Sequence, residues 1–276
     1  MNAHIAFLLS CFLLFGCDAR VGTIATPDNN VILAADMQRK KVIEHTRAAS
    51  YSVFPDTDDV EKLKDSTFLE AMHAATPNGS AFGVSADGVI MTNVHVIEAT
   101  NFCTAPGVDE GDLRREEKSA TYCLLVNQAF TKVFRAKVIK MDKENDIAVM
   151  RIEQSGETFP YLTLATPGSF GEGTEVLTVG SPLGNMNFTT PGLISNLDFM
   201  KQDKETGKKG VRKIQFSAAI LPGNSGGPLV SIATGKVVGQ VVAIIMIHNI
   251  PTQMSYANPV EFLHENIRAI KKETPQ

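Results

Sequence analysis

The chain has 276 residues, of which 43% are hydrophobic and 20% are charged, and its formal net charge is −4 at pH 7. This is the composition of an ordinary globular protein, with room for one large β domain or two small ones. The slightly acidic charge argues against a nucleic-acid partner. Because Trp is absent and aromatic residues make up 7% of the chain, an aromatic platform for carbohydrate binding is not expected either.

The N-terminus has the features of an export signal. Residues 5–16 form an apolar run that is too short to span a bilayer and fits the hydrophobic region of a secretory signal. The run ends in "LFGC", which resembles the bacterial lipobox. This resemblance implies cleavage before Cys17, its lipidation and a lipid anchor, and Asp18 resembles an inner-membrane retention signal. Plain cleavage after Ala19, giving a secreted protein, and a buried helix are the alternatives. We therefore expect a signal peptide at 1–17 and a protein of the bacterial periplasm.

The four cysteines leave one candidate disulfide. Cys11 lies in the apolar run and would be removed, and Cys17 would carry the lipid. In an exported protein the remaining pair, Cys103 and Cys123, indicates a disulfide, with two unrelated buried thiols as the alternative. Two cysteines without a nearby histidine form half of a zinc site, so we expect neither a metal nor another cofactor.

The rest of the chain divides into two regions. Residues 18–64 are mixed and polar and are interpreted as an N-terminal extension or tether with a helix near 31–50. From 65 to 272, short apolar runs alternate with turn signals, as in "FGVSADGVIMTNVHVI", and predict an all-β sandwich or barrel. The final segment, "NPVEFLHENIRAIKK", predicts one amphipathic helix. The basic stretch at 200–213 is either a solvated hairpin tip or a loop that is regulatory or contacts anionic lipids.

The stretch "ILPGNSGGPLV" surrounds Ser225 with three glycines and two prolines, which suits a backbone that aims its N–H groups away from secondary structure. A serine hydroxyl is a weak nucleophile that needs a base, a group orienting that base, and donors for the developing oxyanion. His95 directly follows an apolar strand, and Asp146 stands at the start of another. Alone, each would be interpreted as a core or turn residue, but in the order His, Asp, Ser they form a candidate catalytic set.

Four motifs together resemble a known family. "TNVHVI", "NDIAVMRI", "GSPLG" and "PGNSGGPLV" are similar to motifs of the trypsin-like serine proteases of the HtrA/Deg type, over residues 78–262. The resemblance implies an all-β fold of two antiparallel six-stranded β-barrels, with an N-terminal helical extension and a C-terminal helix. It places His95 and Asp146 in the first barrel and Ser225 in the second, with the site in the cleft between them.

The resemblance also implies a role for each residue. Ser225 attacks the scissile carbonyl, His95 takes its proton and passes it to the leaving amine, and Asp146 holds the imidazole. The segment Gly223, Asn224 and Ser225 forms the oxyanion hole, with the N–H groups of its first and last residues as donors.

A competing motif and two departures from the family qualify this assignment. The serine also matches G-x-S-x-G of the α/β-hydrolases, but no Asp follows Ser225 and the sole Glu-then-His pair, Glu261 and His264, lies on one helix, which excludes that site. Asn224 stands where digestive relatives carry an Asp that pairs with a newly cut N-terminus, so activation by cleavage is not expected. Because the chain ends just after the catalytic region, we do not expect the family's PDZ module.

Substrate and partner expectations follow from the same region. Ala219 and Ile220 would line the S1 pocket, and because no acid is present there, we predict a small or medium aliphatic residue before the cut. Unfolded or misfolded envelope proteins are the expected substrates. Relatives often form trimers through aromatic residues before the first barrel, for which Tyr51 and Phe54 are candidates, although a surface or linker role fits them equally. A non-catalytic scaffold or holdase with the same fold is the main alternative to a serine endopeptidase, and an esterase is another.

Overall fold

The structure, a computed structural model, describes residues 29–56, 76–100, 122–129, 131–154, 156–185, 187–202, 209–247 and 250–273. These residues form twelve strands and three α-helices: α1 (Asn29–Ala48), α2 (Val94–Thr100) and α3 (Val260–Glu273). None of these described helices is both long and apolar enough to cross a membrane.

The first six strands form a closed barrel. They are β1 (Ser50–Pro55), β2 (Gly79–Gly83), β3 (Val89–Thr92), β4 (Tyr122–Asn127), β5 (Val133–Asp142) and β6 (Ile147–Ile152). Their order is β1-β2-β3-β6-β5-β4, and every neighbouring pair is antiparallel. Closure leaves no exposed strand edge in this sheet.

The second barrel repeats this arrangement. It contains β7 (Glu175–Gly180), β8 (Phe188–Gln202), β9 (Lys209–Phe216), β10 (Pro228–Ser231), β11 (Val237–Ile247) and β12 (Ile250–Pro259). The order is β10-β11-β12-β9-β8-β7, again closed and antiparallel. The two barrels with a helix at each end confirm the predicted fold class.

A shared core holds the barrels together. One cluster of buried side chains combines Phe82 and Val149 of the first barrel with Val179 of the second and Leu263 of α3. Burying each such side chain stabilises the fold by roughly 1.5–3 kcal/mol. The cluster therefore fixes the distance between the barrels, and groups from both can meet at their junction.

Strand β1 departs from the sequence-based division of the chain. It lies within 18–64, the segment interpreted as an extension, yet it pairs with β2 and β4 inside the first barrel. Tyr51 and Phe54 are both 1% exposed, and the Tyr51 ring packs edge-on against Phe134 at 6.1 Å. These two aromatic side chains are therefore core residues and are not at a surface that a second copy of the chain could contact.

Some predictions fall outside the described residues. This holds for the signal peptide with Cys17, for Cys103, and for 203–208 of the basic stretch. Cys123 lies buried on β4, and its pairing with Cys103 stays a prediction.

Candidate active site

His95 and Asp146 contact each other through two hydrogen bonds. Strand β3 ends at Thr92, and His95 follows in the first turn of α2. The His95 backbone N–H donates to Asp146 Oδ1 at 3.0 Å, and His95 Nδ1 lies 2.7 Å from Asp146 Oδ2. The carboxylate thus fixes the main chain and the ring at once. The His95 side chain is 47% exposed and that of Asp146 is 24% exposed, so the ring keeps one edge open to an incoming group.

The backbone of Asp146 is held in the left-handed conformation, with φ of 60°. Among non-glycine residues, Asp and Asn adopt this conformation most readily. The Asp146 carbonyl accepts hydrogen bonds from Asn93 Nδ2 at 2.8 Å and from Asn258 Nδ2 at 3.4 Å. Gln240 Oε1 accepts from the same two nitrogens, each at 3.1 Å. A buried amide cluster made from both barrels therefore supports the residue that contacts His95.

Residues 221–227, called here the serine loop, contain Ser225 and directly precede β10. Three N–H groups of the loop are bonded: Asn224 N–H donates to Leu221 O at 3.1 Å, Gly227 N–H to Asn224 O at 3.0 Å, and Gly226 N–H to Val241 O at 2.9 Å. In the described part of the chain, the N–H groups of Gly223 and Ser225 have no hydrogen-bond partner. These are the two groups predicted from the sequence as oxyanion donors.

Glycine is required at two positions of the serine loop. Gly223 has φ of 105°, a conformation that side chains strongly disfavour, and a Cβ there would collide with the Ser181 carbonyl. Gly226 has φ of 86°, and its Cβ would collide with the Ser80 carbonyl and the Thr92 hydroxyl. The loop therefore lies directly against the end of β3, which leads into His95.

The Ser225 hydroxyl bonds to a main-chain carbonyl and not to His95 among the described residues. It donates to the Val242 carbonyl of β11 at 2.9 Å, and within the described residues it has no hydrogen bond to the imidazole. Catalytic hydrogen bonds are often loose without substrate and tighten on binding. Rotation about one side-chain bond would release the hydroxyl from Val242.

Asn224 is buried behind the loop. Its side chain is 1% exposed, and within the described residues neither of its amide atoms has a hydrogen-bond partner. It packs so closely on Gly180 that a Cβ there would overlap its Oδ1. The position next to the serine thus holds a neutral polar group in a buried site.

The two predicted S1 residues differ in their surroundings. Ile220 is buried in the apolar core of the second barrel, whereas Ala219 is exposed. Of the pair, Ala219 is therefore the residue available to touch a ligand from this segment.

Other candidate groups do not join the site. His264 Nε2 lies 2.9 Å from the Ala165 carbonyl. No cluster of three or more metal-ligating side chains occurs among the described residues. Sequence reasoning did not single out Asn93, Gln240 and Ser80, although each is a polar residue beside or within an apolar strand sequence.

Two closed six-stranded barrels with a His–Asp contact and a glycine-bounded serine at their junction define the trypsin-like class of folds. The model of the trypsin-like peptidase domain matches residues 79–239 of this chain. The chain therefore belongs to the trypsin-like peptidase family, as the sequence motifs predicted.

Relatives of the HtrA and DegP type match the same region. The mitochondrial serine protease HTRA2 of Bos taurus is 33% identical over 188 residues, which are 68% of this chain and 35% of that protein. A DegP-like periplasmic serine endoprotease of Pseudomonas savastanoi pv. phaseolicola is 35% identical over 161 residues, 58% of this chain and 28% of that protein. The chain thus spans about a third of the length of the curated relatives it matches.

Solved structures share the fold. The HtrA-type protease AlgW with a tripeptide superimposes with a TM-score of 0.61 at 23% identity, covering 84% of this chain and 63% of that one. AlgW with a decapeptide gives the same TM-score at 22% identity, covering 85% and 67%.

Proposed function

We propose that the chain is a serine endopeptidase with Ser225 as nucleophile, His95 as general base and Asp146 as the residue that orients the base. The observation that carries this proposal is the pair of N–H groups on Gly223 and Ser225, which have no hydrogen-bond partner among the described residues and flank the bonded N–H of Asn224. A backbone arranged in this way can stabilise an oxyanion next to the attacking serine. Membership of the peptidase family supports the same conclusion.

The reaction follows from the contacts of each group. Because Asp146 Oδ2 accepts the proton on His95 Nδ1, the lone pair of the ring lies on Nε2, which takes the Ser225 proton during attack. The Asp146 carboxylate then stabilises the imidazolium. The carbonyl oxygen of the substrate becomes an oxyanion and accepts from Gly223 and Ser225. Protonation of the leaving amine by His95 gives an acyl-enzyme, which water hydrolyses by the same steps in reverse.

Labelling with a fluorophosphonate probe and digestion of casein test this function together. We expect wild type to do both and Ser225→Ala to do neither. His95→Ala should reduce labelling strongly because no base then activates the serine. Ser169→Ala is the matched control, since it removes the hydroxyl of an exposed serine in a turn that does not contact the site. Labelling that persists in Ser225→Ala would overturn the assignment of the nucleophile.

Polypeptides are the proposed substrates. HtrA-type relatives are named as proteases, and the matched AlgW structures contain a tripeptide and a decapeptide. For the residue before the cut we propose a small or medium aliphatic side chain, with Ala219 at the pocket entrance and Ile220 forming its apolar support. Digestion of a peptide library reads this preference directly, and cleavage after Arg or Lys would contradict it.

We also propose that the protein is exported and acts in envelope protein quality control or regulated proteolysis, with residues 1–17 as a lipoprotein signal. The DegP-like relative is named as periplasmic. Incorporation of labelled palmitate tests the anchor: it should be lost in Cys17→Ser and kept in Cys11→Ser, which changes a cysteine that the signal removes. Because β1 belongs to the first barrel, we place the start of the protease body at Ser50.

A non-catalytic scaffold or holdase is the second candidate. The observation that favours it is the hydrogen bond from Ser225 to the Val242 carbonyl, which leaves the hydroxyl unengaged with His95. A protein of this kind would suppress aggregation of an unfolded client without cleaving it, and Ser225→Ala would do so equally well. Casein turnover by wild type and not by Ser225→Ala would reject this candidate.

A further inference from the structure

Ser80 of β2 connects the first barrel to the serine loop through two hydrogen bonds that it donates. Its backbone N–H donates to the Ser225 carbonyl at 2.8 Å. Its hydroxyl donates to the Gly223 carbonyl at 2.7 Å and accepts from the Ser181 N–H at 3.1 Å. Ser80 is fully buried, and its own carbonyl accepts from the Thr92 hydroxyl at 2.7 Å. Every polar group of this residue is therefore engaged.

The carbonyls of the serine loop determine where its N–H groups point. In a trans peptide the C=O and the next N–H lie on opposite sides. The Pro222 carbonyl accepts from Leu183 N–H at 3.0 Å, which turns the N–H of Gly223 the other way. The Asn224 carbonyl accepts from Gly227 N–H and orients the N–H of Ser225 in the same manner.

Ser80 holds the peptide group that lies between these two, the one that joins Gly223 to Asn224. The carbonyl of this peptide belongs to Gly223, the loop residue with φ of 105°. Glycine has the largest conformational freedom of any residue, so a loop that pivots at Gly223 needs a contact from outside to define one orientation. Besides the local bond from Asn224 N–H to Leu221, the contact on this peptide is the Ser80 hydroxyl.

We propose that Ser80 is a positioning residue of the oxyanion site: from the first barrel, its hydroxyl fixes the Gly223 carbonyl and so aims the N–H groups of Gly223 and Ser225. This inference rests on the proposed serine endopeptidase function. It assigns to Ser80 no contact with substrate and no part in proton transfer. Loss of the hydroxyl should therefore weaken stabilisation of the transition state and leave substrate binding and the His95–Asp146 contact intact.

Ser80→Ala and Ser80→Cys test the inference against Ser50→Ala as matched control. Ser50 is also a fully buried serine of the first barrel, and its hydroxyl donates at 2.7 Å to the Thr46 carbonyl, away from the serine loop. Removal of one direct oxyanion donor lowers kcat about 100- to 1,000-fold. For the indirect effect of Ser80→Ala we expect a kcat about 10- to 100-fold lower with fluorogenic casein, and a KM close to that of wild type.

The labelling rate with a fluorophosphonate separates positioning from general damage. The phosphoryl oxygen of the probe occupies the oxyanion position, so the rate should fall in Ser80→Ala by about the same factor as kcat. The pH midpoint of labelling should not move, because His95 and Asp146 do not contact Ser80. Ser80→Cys keeps a weak donor of similar shape and should lie between wild type and Ser80→Ala. Ser50→Ala should retain the wild-type kcat and labelling rate.

Every outcome of these experiments either supports or overturns the positioning role of Ser80. If wild type neither labels nor digests casein, the proposed function itself fails, and this inference with it. If wild type is active and Ser80→Ala keeps its kcat, or loses no more than Ser50→Ala, the positioning role is overturned. A rise in KM without a fall in kcat would also overturn it, since that assigns Ser80 to substrate binding. Should Ser80→Ala not fold, as judged by circular dichroism, the kcat of Ser80→Cys decides: a reduced value supports the role, and a wild-type value refutes it.

Discussion

Asn224→Asp is the substitution whose effect follows most directly from the structure. The two side chains have nearly the same shape, so packing against Gly180 is retained. Asn224 is 1% exposed and, among the described residues, has no hydrogen-bond partner for its side chain. A carboxylate in its place would therefore be a buried charge without compensation, which proteins avoid by taking up a proton.

The loss of stability caused by Asn224→Asp at each pH follows from the shift in the carboxyl pKa. Burial raises the pKa of a carboxyl group, by up to about 3–5 units in fully buried sites, from an unfolded value of about 3.9. Since the folded pKa is raised, the variant loses stability as pH increases above about 3.9, at about 1.4 kcal/mol per pH unit. At pH 7 the loss reaches about 4 kcal/mol, and it stops growing once the pH passes the raised pKa, because the carboxyl group is then ionised in the folded state as well. At pH 4 the loss from this charge is close to zero.

Denaturant unfolding between pH 4 and pH 8 measures this effect. The experiment is done in the Ser225→Ala background, so that no self-digestion interferes. The difference in unfolding free energy between Asn224→Asp and the parent should grow with pH up to the raised pKa, whereas for the uncharged control Asn224→Leu it should be flat. A difference for Asn224→Asp that does not change with pH would refute the reasoning, because the site would then be hydrated or contain a cation.

Three further predictions concern the surroundings of the site. Asp146→Asn keeps a residue that tolerates φ of 60° but removes the charge that stabilises the imidazolium. We expect kcat to fall about 10⁴-fold while the melting temperature stays near that of wild type. A loss of fold, measured by circular dichroism, would contradict this prediction. Gln240→Leu removes the acceptor shared by Asn93 and Asn258; denaturant unfolding should show about 1–3 kcal/mol lower stability, and an unchanged midpoint would argue against the amide cluster. Burial raises the pKa of Tyr51 to about 12, so the stability that its protonated hydroxyl contributes is complete below pH 10 and is lost as the pH rises above it. Relative to Tyr51→Phe, the unfolding free energy of wild type should fall by about 1 kcal/mol between pH 9 and pH 11. Parallel curves of stability against pH for the two proteins would contradict the burial of this side chain.

The barrels could be predicted because their signals are local. Each motif sits on a short apolar run bounded by turn residues, and the ordered set of motifs added the family's topology. Strand β1 was missed for a physical reason: its partners, β2 and β4, lie more than 20 residues away in the chain, so nothing near it in the sequence indicates a sheet. Its polar neighbours made the segment look like a tether.

The sequence predicted some residues of the site and missed others. His95, Asp146 and Ser225 stand in motifs, and the structure brings His95 and Asp146 into contact. Ser80 and Gln240 were not found, because the role of each buried side chain depends on hydrogen-bond partners more than 100 residues away in the chain. A polar residue within an apolar strand, as in "VVGQVV", is the signal that could have drawn attention to such positions.

Because β2 contacts the serine loop, the geometry of the oxyanion site depends on the distance that the shared core sets between the barrels. The oxyanion donors belong to one barrel, and the hydroxyl that holds Gly223 belongs to the other. Hydrogen bonds weaken steeply when stretched, so a separation of about one ångström would release Gly223 and Ser225 while both strand ladders stayed whole. Such a state would keep its circular dichroism spectrum and lose its reactivity. Under the proposed function, such a separation would switch the site off without unfolding, and a ligand that spread the barrels would act as an inhibitor without approaching Ser225.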